Sequence, residues 1–465
     1  MDDAQSIFPP LDPDFAPIAL WMQKQRQRAS ASSSEPLELA LTRPDGSCFR
    51  RDLRILSATD AKSHAENLRA TERTIKHMLW TQGGATVLLG AHGDEGRALA
   101  DELARLYSPS GEHAFDHEMV GERIYLAPLE LRHCAPDELP AAKDASKALG
   151  RHLDGCRIGF DLGGSDRKAA ALIDGEIVFS EEIEWSPYFE QDPNYHFEGI
   201  KNSIERAAAK LPRIDAIGGS AAGVYVDNEP RVASLFRGVS DSDFAEQVRP
   251  IFHRLREHFG GVPFELVNDG EVTALAASMS LDSGSILGIA MGTSLAAGYV
   301  DAKGCITSWL NELAFCPVDM REDAPRDEWS KDRGCGVQYF SQQAVARLAP
   351  LAGIELPAEM PFPERLVQVQ ERMSKGDAAA ARIFTSIGRY LGWSIPWYAE
   401  SYDIRHLLIL GRVTSGAGGQ CIIDEARRVL STAFPELAER VQLTTPDEKM
   451  KRHGQAIAAA SLPSL

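Results

Sequence analysis

Apolar and polar residues alternate with a period of two through "LELALTRPDGSCFRRDLRIL" (residues 37–56), and Pro44-Asp45-Gly46 interrupts the alternation. That pattern predicts a β-hairpin turning at the interruption. "SATDAKSHAENLRATERTIKHMLW" comes next, with helical spacing and a Ser or Thr placed to cap it. "GATVLLGAHGDEGRALADELARLY" reads as a buried strand, a glycine turn and a helix. The serine-rich stretch "ASASSSEP" (residues 29–36) reads as a short flexible linker. Residues 1–150 are therefore expected to form a small α/β unit. Its "GAHGDEG" turn could cradle an anion, but an ordinary strand-to-helix turn explains it as well.

From Arg157 onward, strand-like runs alternate with helical ones, and glycine clusters fall at the strand ends. "IGFDLGGSDRKAAALIDGEIVFSEEI" and "GSILGIAMGTSLAAGYVDAKGCI" are two glycine-bent hairpins. "IDAIGGSAAGVYV", "FELVNDGEVTALAASMSL" and "RHLLILGRVTSGAGGQCIIDEARRVL" each start as a strand and turn on glycine or Asn-Asp-Gly. An Asp-bearing hairpin followed later by a Gly-Thr-Ser hairpin suggests two related halves.

A chain of 465 residues predicts two to four domains. With 44% hydrophobic and 25% charged residues it is typical of globular proteins, and no apolar run is long enough to span a bilayer. The net charge of −18 argues against nucleic acid as a partner, while leaving room for a local basic pocket. "MDDAQSIFPPLDPDF" lacks the basic and apolar regions of a secretory signal. Seven scattered cysteines form no CxxC pair. Reduced thiols in a cytoplasmic protein are the expectation.

The hairpin bend at Asp161–Ser165 carries the first chemistry. Gly163-Gly164 leaves the backbone bare, so amide N–H groups and the Ser165 hydroxyl can approach phosphate oxygens. Asp161 could hold a magnesium ion, directly or through water. A plain hairpin turn would explain the same residues.

Taken in order, these loops resemble the ROK branch of sugar kinases, within the sugar kinase, heat-shock chaperone and actin superfamily, over residues 157–435. The resemblance implies an α/β fold with two ribonuclease-H-like (actin-like ATPase) domains around a cleft, residues 151–285 and 286–465, and an N-terminal α/β extension, residues 1–150. It makes "DLGGSDRK" the first phosphate loop, with Asp161, Gly163, Gly164, Ser165 and Lys168, where Lys168 or Arg167 offsets charge. "GIAMGTSLAAGYV" becomes the second phosphate loop, with Gly292, Thr293 and Ser294. "LILGRVTSGAG" becomes the adenosine loop, with Gly411 and Gly416. Asp269 takes the general base's place, and as an alternative it is simply a helix N-cap. Asn268, Glu312, Gly219 and Ser220 fall where the sugar is bound.

The activity implied by this resemblance is ATP- and Mg²⁺-dependent phosphorylation of a hydroxyl on a sugar or polyol, with a homodimer compatible and neither nucleic acid nor membrane as partner. A non-catalytic regulator of the same family is the alternative. The chain also departs from the family. Phe315 stands where the family's zinc-binding His would be. Of three zinc cysteines only Cys335 has a counterpart, and Val337 replaces a second sugar-binding Glu. Cys316 lies close by, but one or two thiols do not make a tetrahedral zinc site, so no zinc is expected.

Overall fold

The computed structural model describes residues 7–57, 60–446 and 454–465. The N-terminal unit opens with α1 (Ile18–Ala31), then the hairpin β1 (Ser34–Thr42) and β2 (Cys48–Leu56). The helix α2 (Ala61–Thr81), β3 (Thr86–Gly90), α3 (Asp94–Leu106) and β4 (Glu130–Cys134) complete the unit. The sheet runs β2-β1-β3-β4, with β3 and β4 parallel across α3.

The stretch expected to be a linker is ordered. Ala29 to Ala31 are the last turn of α1, and Ser34 pairs with Leu56 as β1 begins. Backbone pairing needs no apolar side chain, so a serine-rich composition did not reveal it. The cap of α2 is Asp60, whose Oδ1 accepts from Ser63 N at 2.8 Å, and not the expected Ser or Thr. The Thr59 candidate lies outside the described residues.

The first central sheet has the order β11-β8-β5-β6-β7. Its antiparallel meander is β5 (Cys156–Leu162), β6 (Asp166–Ile173) and β7 (Glu176–Glu184). The helix α4 (Pro193–Ala208) crosses to β8 (Ala216–Ala221), parallel to β5. A small hairpin, β9 (Val224–Val226) and β10 (Glu229–Val232), turns at Asp227-Asn228, both left-handed. Then come α5 (Ile251–His258), β11 (Phe264–Asn268), parallel to β8, and α6 (Asp269–Leu281). β5 is buried along almost its whole length, as a central strand covered on both faces should be.

The second central sheet, β13-β12-β14-β15, repeats the plan in shorter form. β12 (Ile286–Met291) and β13 (Leu295–Val300) are the second hairpin, and α7 (Gln342–Leu351) and α8 (Ala378–Tyr398) lead to β14 (His406–Leu410). The helix α9 (Gly416–Ala433) and β15 (Gln442–Thr444) complete it.

Two packing features tie distant parts of the chain together. One apolar core runs without a break from the N-terminal unit (Leu39, Ile75, Trp80) into the second central sheet (Ile289, Leu295) and the helix α8 (Tyr390). The first central sheet has its own core around Phe160, Ile204 and Phe252. The N-terminal unit is thus built into the second half of the chain. The last helix, α10 (Gln455–Ala460), returns to the first sheet. Gly159 and Gly218 leave room for its backbone, and Arg157 Nη1 donates to Pro463 O at 2.7 Å.

Candidate active site

β5 delivers Asp161 to the edge of the cleft, and the chain turns back through Gly163-Gly164. Gly163 N donates to Asp166 O at 2.9 Å, and the Trp185 indole donates to Gly163 O at 2.8 Å, which pins the bend. Ser165 Oγ donates to Asp166 Oδ2 at 3.0 Å, and Lys168 Nζ lies 3.3 Å from Asp166 Oδ1. Lys168 is also the register partner of Asp161. Ser165, Asp166 and Lys168 therefore form a polar tip with Asp161 beneath it. Burial pushes the Asp161 carboxyl up, and the Ser220 hydroxyl and Lys168 charge pull it back. Arg167 is committed elsewhere: it donates to Gly199 O at 2.7 Å on α4, so it packs and does not serve phosphate. Gly164 has a local reason to be glycine, because a Cβ there would run into the Tyr188 ring.

The second loop faces the cleft from the other sheet. Gly292 N donates to Ser294 O at 2.9 Å, leaving Thr293 and Ser294 exposed at the bend. A Cβ on Gly292 would meet only Ser294 O, at 3.6 Å. Gly411, at φ 101°, lies so close to Met291 that only glycine lets the two loops touch. Gly416, at φ 66°, opens α9 with nothing near its missing side chain. The result is a shelf of bare backbone beside two free hydroxyls.

Asp269 lies near Asp161 and Glu312. The N-cap of α6 is Asn268, whose Oδ1 accepts from Gly270 N at 2.7 Å. Asp269 is the first helical residue, so its carboxylate is not consumed as the cap; it accepts from Gly270 N at 2.9 Å. Asn268 Nδ2 donates to Gly223 O at 2.7 Å, so this side chain holds the site's backbone together. Burial and then the Asp161 charge raise the Asp269 carboxyl. Burial and then Asp269 lift Glu312 to about 7. Asp161 opposes the ionisation of Asp269, and Asp269 that of Glu312, which favours a cation or a bound proton beside them.

Glu312 is held from behind by the N-terminal unit: its N–H donates to Trp80 O at 2.8 Å, and Asn311 N donates to Thr81 O at 2.9 Å. A pocket of about 280 Å³ opens in front of it, walled by Gly223, Val224, Ser294 and Phe315, and by Trp80 and Met119 of the N-terminal unit. Phe315 packs on Trp80 (centroids 4.4 Å apart) and Trp329 (5.5 Å).

Behind Phe315 lies a buried ion network. Lys76 Nζ is 2.8 Å from Asp116 and 2.7 Å from Asp332, and Arg73 is 3.2 Å from Asp332. Burial drives the Cys316 and Cys335 thiols well above their usual range, which keeps them as neutral thiols. Among the described residues no group of three or more His, Cys, Asp or Glu is arranged to hold a metal.

Of the expected substrate residues, Ser220 is buried on β8 in register with Asp161. Gly219 faces the Phe160 ring, where its missing side chain serves packing. Three further residues belong to the site without having been expected there. Asp166 lies within the first loop, where nothing in the local pattern sets it apart from Asp161. Glu271 completes the capping box that Asn-x-x-Glu spells, and its Oε1 accepts from Asn311 Nδ2 at 3.2 Å. Trp80 gives no local signal, because its contact with Glu312 spans most of the fold.

Burial lifts Glu271 to about 8. A carboxyl raised in the folded state adds stability that is complete below its unfolded value near 4.5 and is lost as pH rises through 8. We expect the melting temperature to fall from about pH 5 to about pH 8.5, and Glu271→Gln to flatten that slope by about half, Glu312 contributing to the remainder. An unchanged slope in the variant would remove Glu271 as the cause.

Two mixed sheets, each opening on a glycine-bent hairpin, give the chain an architecture similar to that of solved ROK family structures. No protein-family profile and no curated protein matches the chain. Among solved structures, the ROK hexokinase of Thermus thermophilus aligns with 66% of this chain and 96% of its own, at TM-score 0.51 and 19% identity. A ROK family glucokinase from Streptomyces griseus, in complex with glucose and AMPPNP, aligns with 66% of this chain and 98% of its own, at TM-score 0.46 and 19% identity. A ROK family transcriptional regulator, described as a homolog of the E. coli MLC protein, aligns with 67% and 79%, at TM-score 0.49 and 18% identity. Among the described residues no helix is long and apolar enough to cross a membrane.

Proposed function

We propose that this protein transfers the terminal phosphoryl group of ATP to a hydroxyl of a sugar or related polyol. The observation that carries this is Asp269. It is released from capping by Asn268, it is close enough to Asp161 of the first hairpin for that charge to act on it, and its own charge acts on Glu312, in the wall of a pocket that Ser294 of the second loop also lines.

Phosphoryl transfer asks little covalent work of a protein; positioning and charge stabilisation do most of it. Ser165, Thr293, Ser294 and the bare amides near Gly163, Gly292 and Gly416 bind the nucleotide, and Gly411 lets the adenosine shelf form. Lys168 offsets phosphate charge. Asp161 and Asp166 offer hard carboxylate oxygens, two negative charges against the single positive charge of Lys168 beside them, which would suit Mg²⁺, held directly or through water. When bound, that ion neutralises phosphate charge. Glu312 and the backbone of Gly223 orient the substrate hydroxyls. Asp269 takes the proton from the attacking hydroxyl, and its raised pKa makes it a better acceptor than an ordinary aspartate. The aromatic wall of Trp80 and Phe315 excludes water from the reacting oxygen.

A non-catalytic ROK-type regulator is the competing reading. No feature of the described residues favours it: the N-terminal unit is a four-stranded sheet merged with the main core.

The nucleotide grip is tested by calorimetry with Mg-ATP. The open space at Gly292 lets Gly292→Val fold while its methyls take the room a phosphate oxygen needs, so ATP affinity should fall at least tenfold with the circular dichroism unchanged. Wild-type affinity in the folded variant would sink the phosphate-loop assignment. Gly164→Val is a poor test, since it collides with Tyr188 whether or not a phosphate is there.

A further inference from the structure

Beside the substrate pocket lies a second cavity of about 530 Å³. The two share Val232, Ser234 and Trp329 as wall residues, so they adjoin. Four arginines line it: Arg123, Arg231, Arg237 and Arg249. The Arg231 side chain is only 9% exposed; its Nη1 lies 3.1 Å from Glu229 Oε2, but its Nε has no hydrogen-bond partner. Arg249 Nε is likewise buried without an acceptor. The Arg237 guanidinium lies over the Tyr188 ring at 4.1 Å.

The other charges on this wall do not satisfy them. Arg123 is tied to Glu118 at 2.8 Å, Glu122 is 3.6 Å from His117, and Asp241 is exposed. Burial lowers the Arg231 pKa, Glu229 counters that, and the Arg249 charge lowers it further. Two guanidiniums that repel each other, each with an N–H lacking an acceptor, cost stability unless something arrives to bridge them. In a chain of net charge −18 such a cluster is a local exception. Guanidinium forks match the planar oxygens of carboxylate and phosphate.

We propose that this second cavity binds an anionic group, a carboxylate or a phosphate, carried by the substrate itself, with Arg231 and Arg249 as its receptors. This rests on the phosphoryl-transfer reading and narrows the substrate class to acidic sugars or polyols. The hydroxyl to be phosphorylated sits at Asp269, the ring passes Trp329 and Val232, and the anion reaches the arginines. It also explains why Phe315 and Val337 can stand in place of polar sugar contacts: recognition moves from ring hydroxyls to a distal charge.

The test is calorimetric binding without nucleotide, using glucose, gluconate, glucuronate and glucose 6-phosphate as probes. At least one acidic probe should bind tenfold or more tightly than glucose. Arg249→Met and Arg231→Met should each remove most of that advantage and leave Mg-ATP affinity within twofold. Arg249 is partly exposed and tolerates replacement, so it gives a reading even if the buried Arg231 does not. The proposal is overturned if no acidic probe outbinds glucose, or if Arg249→Met leaves acidic-probe affinity unchanged. Mg-ATP affinity is read separately, so failure here is distinguishable from failure of the kinase assignment.

Discussion

Asp269→Asn should lower kcat by about 10²–10⁴, the usual worth of a positioned general base, without lowering the melting temperature. The two halves of that result come from different atoms. Asn268, not Asp269, caps α6, and an asparagine at 269 still offers Oδ1 to Gly270 N. The substitution also removes a carboxylate that Asp161 opposes and that in turn opposes Glu312, so the fold loses no stabilising charge. The pKa of Glu312, held at about 7 partly by Asp269, should drop in the variant. Turnover assays with thermal melts, and titration of Glu312 by NMR, read all three. Near-wild-type turnover would take Asp269 out of the base's role, and unfolding would mean that its carboxylate supports the helix after all.

The largest stability effect should come from Asp332→Ala. Asp332 neutralises Lys76 at 2.7 Å and Arg73 at 3.2 Å, and all three side chains are almost entirely buried. Lys76 would keep Asp116 and Arg73 would keep Glu72, but a buried cluster deprived of one shared anion is under-neutralised, at a cost of up to ~3–5 kcal/mol. Denaturant unfolding followed by tryptophan fluorescence measures it, with Trp80 well placed to report because its indole donates to Asp116 at 2.6 Å. The effect should reach the pocket too. The end of α2 holds Glu312 through the Trp80 carbonyl, so substrate KM should rise in conditions where the variant remains folded. A loss below about 1 kcal/mol would show that the network is not what ties the N-terminal unit to the pocket.

Legibility in the sequence depended on range. The β1–β2 and β12–β13 hairpins and the β11–α6 turn rest on neighbours in sequence, and alternation with Asn-Asp-Gly or Gly-Thr-Ser bends marked them. Asp161 and Asp269 accordingly lie at the ends of the strands that the local pattern predicts, β5 and β11. Features set by distant partners were not readable. Ser34 becomes a strand residue through Leu56, and Gly164 is glycine because of Tyr188. Gly159 and Gly218 serve a helix nearly at the chain's other end. Trp80 meets Glu312 across more than two hundred residues. The capping role lay within a single turn, yet two adjacent capping residue types, Asn268 and Asp269, left the choice between them to geometry.

The most direct test of Asp269 as the base of a sugar kinase is ADP formation from Mg-ATP across a panel of neutral sugars, polyols and their carboxylate and phosphate derivatives, run side by side with wild type and Asp269→Asn. Phosphoryl transfer at this site predicts substrate-dependent ADP release by the wild type with at least one panel member, matched by a phosphorylated product, and its loss in the variant. Binding of Mg-ATP and a panel member together with no product, or equal ADP release by both proteins, would contradict it.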